Sequence, residues 1–270
     1  MKRRELLKGG ATLLGAGGIL GLPASVAAAA ADDPYGIESP VEDARCFRTS
    51  AVDLEAYRVR SRRIVAAHWR QTREQVAALD KKYEKPLYGP MPIWDLVEKS
   101  ALCIDIADMR LLCVSQLVHL QQTVEQMDEA GVTDPVLLAA AVLHDLGKVL
   151  LLEGEAPENV CCGNRPIGTF TDGCGLDNIT INFNHDRFMY LRLRGHVPDE
   201  VAWLVRYHSL HMDRAERYMN DRDRDWTERY LKPFRRLDLD SKSPARLPAA
   251  DTLARCREIA EKALPKPLVV

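Results

Sequence analysis

Between Pro135 and Leu143 the chain reads PVLLAAAVL, and this run ends on His144 and Asp145. A helix that is apolar on every side has no solvent face, so it must lie inside the fold. Asp134 can cap it and Pro135 suits its first turn. An unpaired carboxylate at the end of such a helix costs several kcal/mol, so His144 and Asp145 need a metal, another cation or each other. The chain is therefore expected to build other elements around this helix.

Those other elements also read as helices. Leu54 to Tyr83 mixes apolar and charged residues at spacings near three and four without Pro or Gly, which predicts one long amphipathic helix. Further helices are expected over 92–105 and 115–129, the latter stopped by Gly131, and over 177–194, 198–211, 223–239 and 248–263. No period-2 strand runs intervene. Gly154, Pro157, Gly163, Pro166, Gly168, Gly173 and Gly175 make 153–175 a long loop. Its place directly after a buried polar pair predicts a lid. The run DRAERYMNDRDRDWTERY reads as a solvated face laced with ion pairs. Together these predict one all-α catalytic domain over 51–270.

Lys and Arg number 37 against 39 Asp and Glu, a net charge of -2, so no positive field attracts nucleic acid. The start, MKRRELLKGG followed by a weakly apolar segment and an alanine tract, has a signal-peptide layout. Arg3 and Arg4 resemble a twin-arginine motif. This predicts a leader over 1–31, a linker over 32–50, use of the twin-arginine export machinery, a periplasmic or extracellular location and no stable membrane anchor after cleavage. The seven cysteines include no CxxC pair and are expected to be mostly buried thiols.

His119, His185, His208 and Asp238 lie in segments with core-facing neighbours, as do His144 and Asp145. Imidazole and carboxylate without thiolate suit iron, manganese, zinc or cobalt. Six such side chains exceed what one catalytic ion with open positions needs, but match two ions sharing one carboxylate. The order H…HD…H…H…D resembles the HD-domain superfamily, which implies an HD-domain-like helical bundle with a buried dinuclear site. Phosphohydrolases and oxygenases both use that pattern.

The segments HLQQTVEQM, VLHDLGKVLLLEGE, CGLDNITINFNHDRFMYLRLRG, VPDEVAWLVRYHSL and YLKPFRRLDLDSKSP together resemble the myo-inositol oxygenase family over about residues 85–245. The resemblance implies a non-haem diiron enzyme with a mixed-valent Fe(II)/Fe(III) pair and O2 as co-substrate, acting on a small polyol. His119, His144, Asp145 and Asp238 would hold one iron, and Asp145, His185 and His208 the other. It further implies catalytic roles for Lys148 and Asp145, and substrate contacts from Lys148, Lys242 and Ser209, with Asn164 and Asp105 as further candidates. Lys148 and Lys242 each follow a ligand by four residues, which predicts a shared helix face. His68, His196 and His211 fall off the ligand pattern. Asn164 stands where animal members carry an aspartate, the loop before CGLD is shorter, and family members are cytoplasmic. A metal-dependent phosphohydrolase is the alternative enzyme, and a non-catalytic metal-binding export protein is a third reading.

Overall fold

The computed structural model describes residues 51–270 except Cys113. The predicted leader 1–31 and linker 32–50 lie outside the described residues.

The run predicted to be buried is helix α5, Pro135–Leu143, with Asp134 accepting a hydrogen bond from the Val136 amide at 2.8 Å. Ala140 to Leu143 are fully buried. Helix α4, Gln116–Glu129, starts at Ser115, whose hydroxyl accepts from the Val118 amide, and is followed by Gly131 at a φ of 69°, where glycine carries no side-chain penalty. α5 packs against α4 and against α7 (Asp199–Tyr207), α10 (Lys232–Ser241) and α11 (Thr252–Ala263). Its small side chains let these neighbours approach closely, and the core continues through Leu120, Leu143, Phe188, Leu204 and Phe234. Helix α6, His185–Leu193, begins at Asn184, whose side-chain oxygen accepts from the Asp186 and Arg187 amides. That cap fixes His185 and Asp186 in the first turn.

The single helix predicted over 54–83 is two: α1, Ala51–His68, and α2, Arg73–Lys82. Tertiary bonds explain the break. Gln71 takes the Phe183 amide at 2.8 Å and gives to its carbonyl at 3.0 Å, His68 Nδ1 meets the Glu158 carbonyl at 2.8 Å, and Trp69 Nε1 donates to the Gly163 carbonyl at 2.8 Å. Thr72 and Gln75 then form a capping box that restarts the helix. The segment expected to be helical over 92–105 shortens to α3, Ile93–Lys99, and a 3-10 turn, while 177–184 holds the end of a 3-10 turn, Leu176–Asn178, and irregular chain ahead of α6.

A two-stranded pair also corrects the strand-free expectation: β1, Pro90–Met91, runs antiparallel to β2, Leu268–Val269. Between α7 and α10 come the short α8, Met212–Ala215, then α9, Asp221–Trp226, and a π-helical turn, Thr227–Leu231. This charged run carries surface pairs such as Arg229 with Asp225. Asp223 is the exception to the solvated face, being fully buried and accepting from the Trp203 indole at 3.1 Å and the Leu176 amide at 2.7 Å. Within the loop 153–175, Val160, Cys161, Gly163 and Asn164 are buried and form an inner wall, which corrects the lid expectation for that stretch, while 153–154 and 171–173 are exposed.

Candidate metal centre

His144 and Asp145 leave the carboxyl end of α5, where exposed carbonyls favour positive charge. The chain then turns into a 3-10 segment, Leu146–Leu151, instead of continuing the helix. Gly147 lets the start of α6 approach this segment closely, because a Cβ there would lie 2.2 Å from the His185 carbonyl oxygen. Lys148 consequently meets Asp145 at i,i+3, with Nζ 2.9 Å from Oδ2, and not His144 at i,i+4 as the spacing predicted.

All six predicted ligands converge. His119 Nε2 lies 3.3 Å from His144 Nε2 and 3.0 Å from Asp238 Oδ1. Both imidazoles lie 3.5 Å from Asp145 Oδ2. The other oxygen of the same carboxylate, Asp145 Oδ1, lies 3.0 Å from His185 Nε2 and 3.5 Å from His208 Nε2. Asp145 thus faces one histidine pair with each oxygen.

Three rings are oriented by the backbone. Nδ1 of His144 meets the Ala140 carbonyl at 3.1 Å, that of His208 meets the Val205 carbonyl at 2.9 Å, and that of His185 meets the Val160 carbonyl. A ring whose Nδ1 carries the proton toward a carbonyl presents a bare lone pair at Nε2, the form that ligates metals.

The donor set fits metal ions on three counts. Two donors bound at about 2.1 Å and about 90–110° apart are separated by about 3.0–3.4 Å, close to the spacings here. Asp145 Oδ1, Asp238 Oδ1, His185 Nε2 and His208 Nε2 are buried without a hydrogen-bond partner. Asp105, Asp108, Asp145, Asp186 and Asp238 set five carboxylates against the ammoniums of Lys148 and Lys242 and the Arg235 guanidinium, so two negative charges are left for protonated imidazoles or for metal cations in their place. Burial pushes Asp145 up, but His144 and Lys148 hold it well below the usual carboxylate range, and Lys242 does the same for Asp238. Burial opposes charge on His208, yet Asp186 and Asp145 raise it to about 10; His185 is likewise held well above the ordinary imidazole range, chiefly by Asp186 against burial. The field of the site favours cations.

Each lysine ties a predicted ligand to a carboxylate in the segment before α4. Lys148 is fully buried, 2.9 Å from Asp105 Oδ2 as well as from Asp145, and donates to Gln116 Oε1 at 3.2 Å. Lys242 donates to Asp108 Oδ2 at 2.9 Å and stands 3.7 Å from Asp238 Oδ2. Ser209 and Asn164 lie on the other side, against Asp186 Oδ2 at 2.6 and 3.1 Å. Asp186 Oδ1 in turn lies 2.8 Å from His185 Nε2.

Sequence reasoning missed Asp186, Asp108, Gln116 and Cys162. Asp186 had a signal, since His185-Asp186 repeats the His144-Asp145 pairing, and Gln116 sits one turn before His119 on α4. A thiol stands beside the expected nitrogen and oxygen donors: Cys162 gathers with Asp145, His185 and His208, all donor atoms within 4.8 Å of one another, while His119, His144 and Asp145 form a second such group. Burial raises the Cys162 thiol, but Lys148 and His185 bring it below its ordinary value. His68 and His211 are buried outside the cluster, and burial lowers each to about 4.

The myo-inositol oxygenase family model matches residues 57–165 and 158–269, nearly all of the described chain. The chain belongs to the myo-inositol oxygenase family. It is 30% identical to inositol oxygenase 1 of Arabidopsis thaliana over 78% of this chain and 81% of that one. Inositol oxygenase 2 of the same plant is 33% identical over 65% and 67%, and human inositol oxygenase is 25% identical over 69% and 77%. The protein is an oxidoreductase of a metal-dependent family.

These relatives overturn the exported location. They are inositol oxygenases of plants and mammals, members of the family that the resemblance associates with the cytoplasm, and the match begins at residue 57, beyond the leader-like stretch. A basic start followed by alanines is a compositional pattern, and it is an address only where a receptor reads it. Among the described residues, no helix is long and apolar enough to cross a membrane.

Proposed function

We propose that the chain, with 51–270 as its catalytic domain, is a non-haem diiron oxygenase that uses O2 to cleave a ring carbon-carbon bond of myo-inositol or a related cyclic polyol, giving a uronic acid such as glucuronate. The observation that carries this reading is the Asp145 carboxylate, whose two oxygens face two separate histidine pairs. His119, His144, Asp145 and Asp238 would hold one iron, and Asp145, His185 and His208 the other. When bound, a mixed-valent iron pair supplies the redox chemistry that opens the ring.

The chain's own residues orient the substrate and manage charge. Lys148 and Lys242 carry ammonium donors beside the two ligand carboxylates, where polyol oxygens would approach. Lys148 donates to Asp145 and Gln116 and stands 2.9 Å from Asp105 Oδ2 as an ion pair, so reading a hydroxyl requires loosening one of these contacts. Asp105 and Asp108 keep both lysines charged and aimed. Ser209 and Asn164 hold Asp186, which keeps His185 in line; a substrate contact by either side chain would come at the expense of that bond.

The test is oxygen uptake by the full chain with ferrous iron and a reductant, offering inositol isomers, their methyl ethers and simple sugars. Substrate-dependent uptake with formation of a uronic acid supports the proposal. No uptake, combined with metal-dependent hydrolysis of phosphate esters, would assign the site to a phosphohydrolase.

A further inference from the structure

The segment Val160–Asn164 is pinned on both sides of Cys162. The Val160 carbonyl receives His185 Nδ1, the Cys161 carbonyl accepts from Asn184 Nδ2 at 3.1 Å, the Gly163 amide donates to Ser209 Oγ at 3.2 Å, and the Gly163 carbonyl accepts from the Trp69 indole at 2.8 Å. This thiol is therefore preorganised, unlike one on a surface loop. It is also free of any disulfide, as are the other described cysteines. Its sulfur shares the 4.8 Å cluster with donor atoms of Asp145, His185 and His208. In that cluster Asp145 Oδ1 and His208 Nε2 are buried and lack hydrogen-bond partners, and His185 Nε2 faces only carboxylate oxygens, so the donors beside the sulfur converge on one another.

We infer that Cys162 is a sulfur ligand to the ion on the His185 and His208 side, completing a set of two imidazoles, one carboxylate and one thiolate. The inference rests on the metal-site reading above and deepens it. On binding, the thiol proton leaves to solvent and the sulfur lone pair is donated to the ion, with no change of oxidation state. The consequence is an asymmetric pair of sites. The His119, His144 and Asp238 side offers only nitrogen and oxygen, whereas the Cys162 side has the softer mixture that zinc and cobalt accept readily. Metal preference should therefore differ between the two positions.

Cobalt(II) loaded into the full-length metal-free protein provides the test. The wild-type protein should show visible d–d bands from bound cobalt together with a near-ultraviolet sulfur-to-cobalt charge-transfer band, and Cys162→Ser should lose the charge-transfer band while keeping d–d absorption. In parallel, thiol alkylation of the wild type mapped by mass spectrometry should find Cys162 modified without cobalt and protected with it. This second measurement needs no variant to fold. Cobalt d–d bands without a sulfur band, or alkylation of Cys162 unchanged by bound cobalt, overturns the ligand assignment while leaving the metal centre intact. Failure of the wild type to bind cobalt at all overturns the metal-site reading, and the inference with it.

Discussion

Gly147→Ala adds one carbon where the structure has no space for it. The new Cβ would stand 2.2 Å from the His185 carbonyl oxygen, against an ordinary contact of 3.4 Å or more, so the two segments must separate by at least 1.2 Å. The obstacle is backbone at the first turn of α6, and no side chain can swing aside. Overpacking of this kind costs about 1–3 kcal/mol, and the rigidity of the obstacle places this case in the upper half of that range. For a domain of this size each kcal/mol lowers Tm by about 2–4 °C, which gives a fall of about 4–12 °C. The displacement also acts directly on the 3.0 Å approach of His185 to Asp145, so the metal on that side should be lost first. Thermal unfolding and elemental analysis of the same preparation read both effects. Gly89→Ala, where nothing lies within 4 Å, is the control and should stay within about 1 kcal/mol of wild type. A Gly147→Ala variant with wild-type Tm and undiminished metal content would refute the reasoning.

Asp145→Ala should abolish binding of both metals and His208→Ala chiefly one, since only Asp145 is shared; elemental analysis per chain decides this, and equal losses would contradict a bridge. Lys242→Ala should lower kcat/KM about ten- to a hundredfold with metal retained, the loss expected for charge-assisted hydrogen bonds of about 1.5–3 kcal/mol. Lys148→Ala should in addition destabilise the fold by about 3–5 kcal/mol, because it strands Asp105 and Asp145 in a buried place; denaturant midpoints separate the two lysines. His68 and His211 are buried with pKa values depressed to about 4, so the unfolded chain binds more protons than the native one below its ordinary imidazole pKa. Their contribution to stability is complete above about pH 6.5 and is lost as pH falls toward 4. Urea unfolding across that window should show the loss, and His68→Gln should flatten it.

The centre of the molecule was legible because α5 has no polar face and ends on two groups that cannot be left alone. His119, His185, His208 and Asp238 sat in segments with core-facing neighbours, and they meet His144 and Asp145 in one cluster. Boundaries set by tertiary bonds were not legible. The only local mark of the break at Trp69–Thr72 is the Thr72–Gln75 capping pair; the break itself exists because Gln71 and His68 are hydrogen-bonded to segments about 90–110 residues away. The loop 153–175 carried the breakers of an irregular segment but no mark of whether it covers a site or lines one. Cys162 and Asp108 were hidden similarly, their roles depending on which elements the fold brings beside them.

The metal-facing histidines and the lysines beside them are held by different kinds of bond, and this divides the site into parts that can change at different rates. His144, His185 and His208 take their ring orientation from main-chain carbonyls, which survive substitution of the residues that bear them. Lys148 and Lys242 are aimed by the side chains of Asp105, Asp108 and Gln116, each of which a single codon change can replace. Divergence within such a scaffold can thus alter which hydroxyl pattern is accepted while the metal centre stays unchanged. For an engineer seeking activity on a different ring polyol, positions 105, 108 and 116 are the ones to randomise, and the carbonyls of Ala140, Val160 and Val205 are the ones to leave undisturbed.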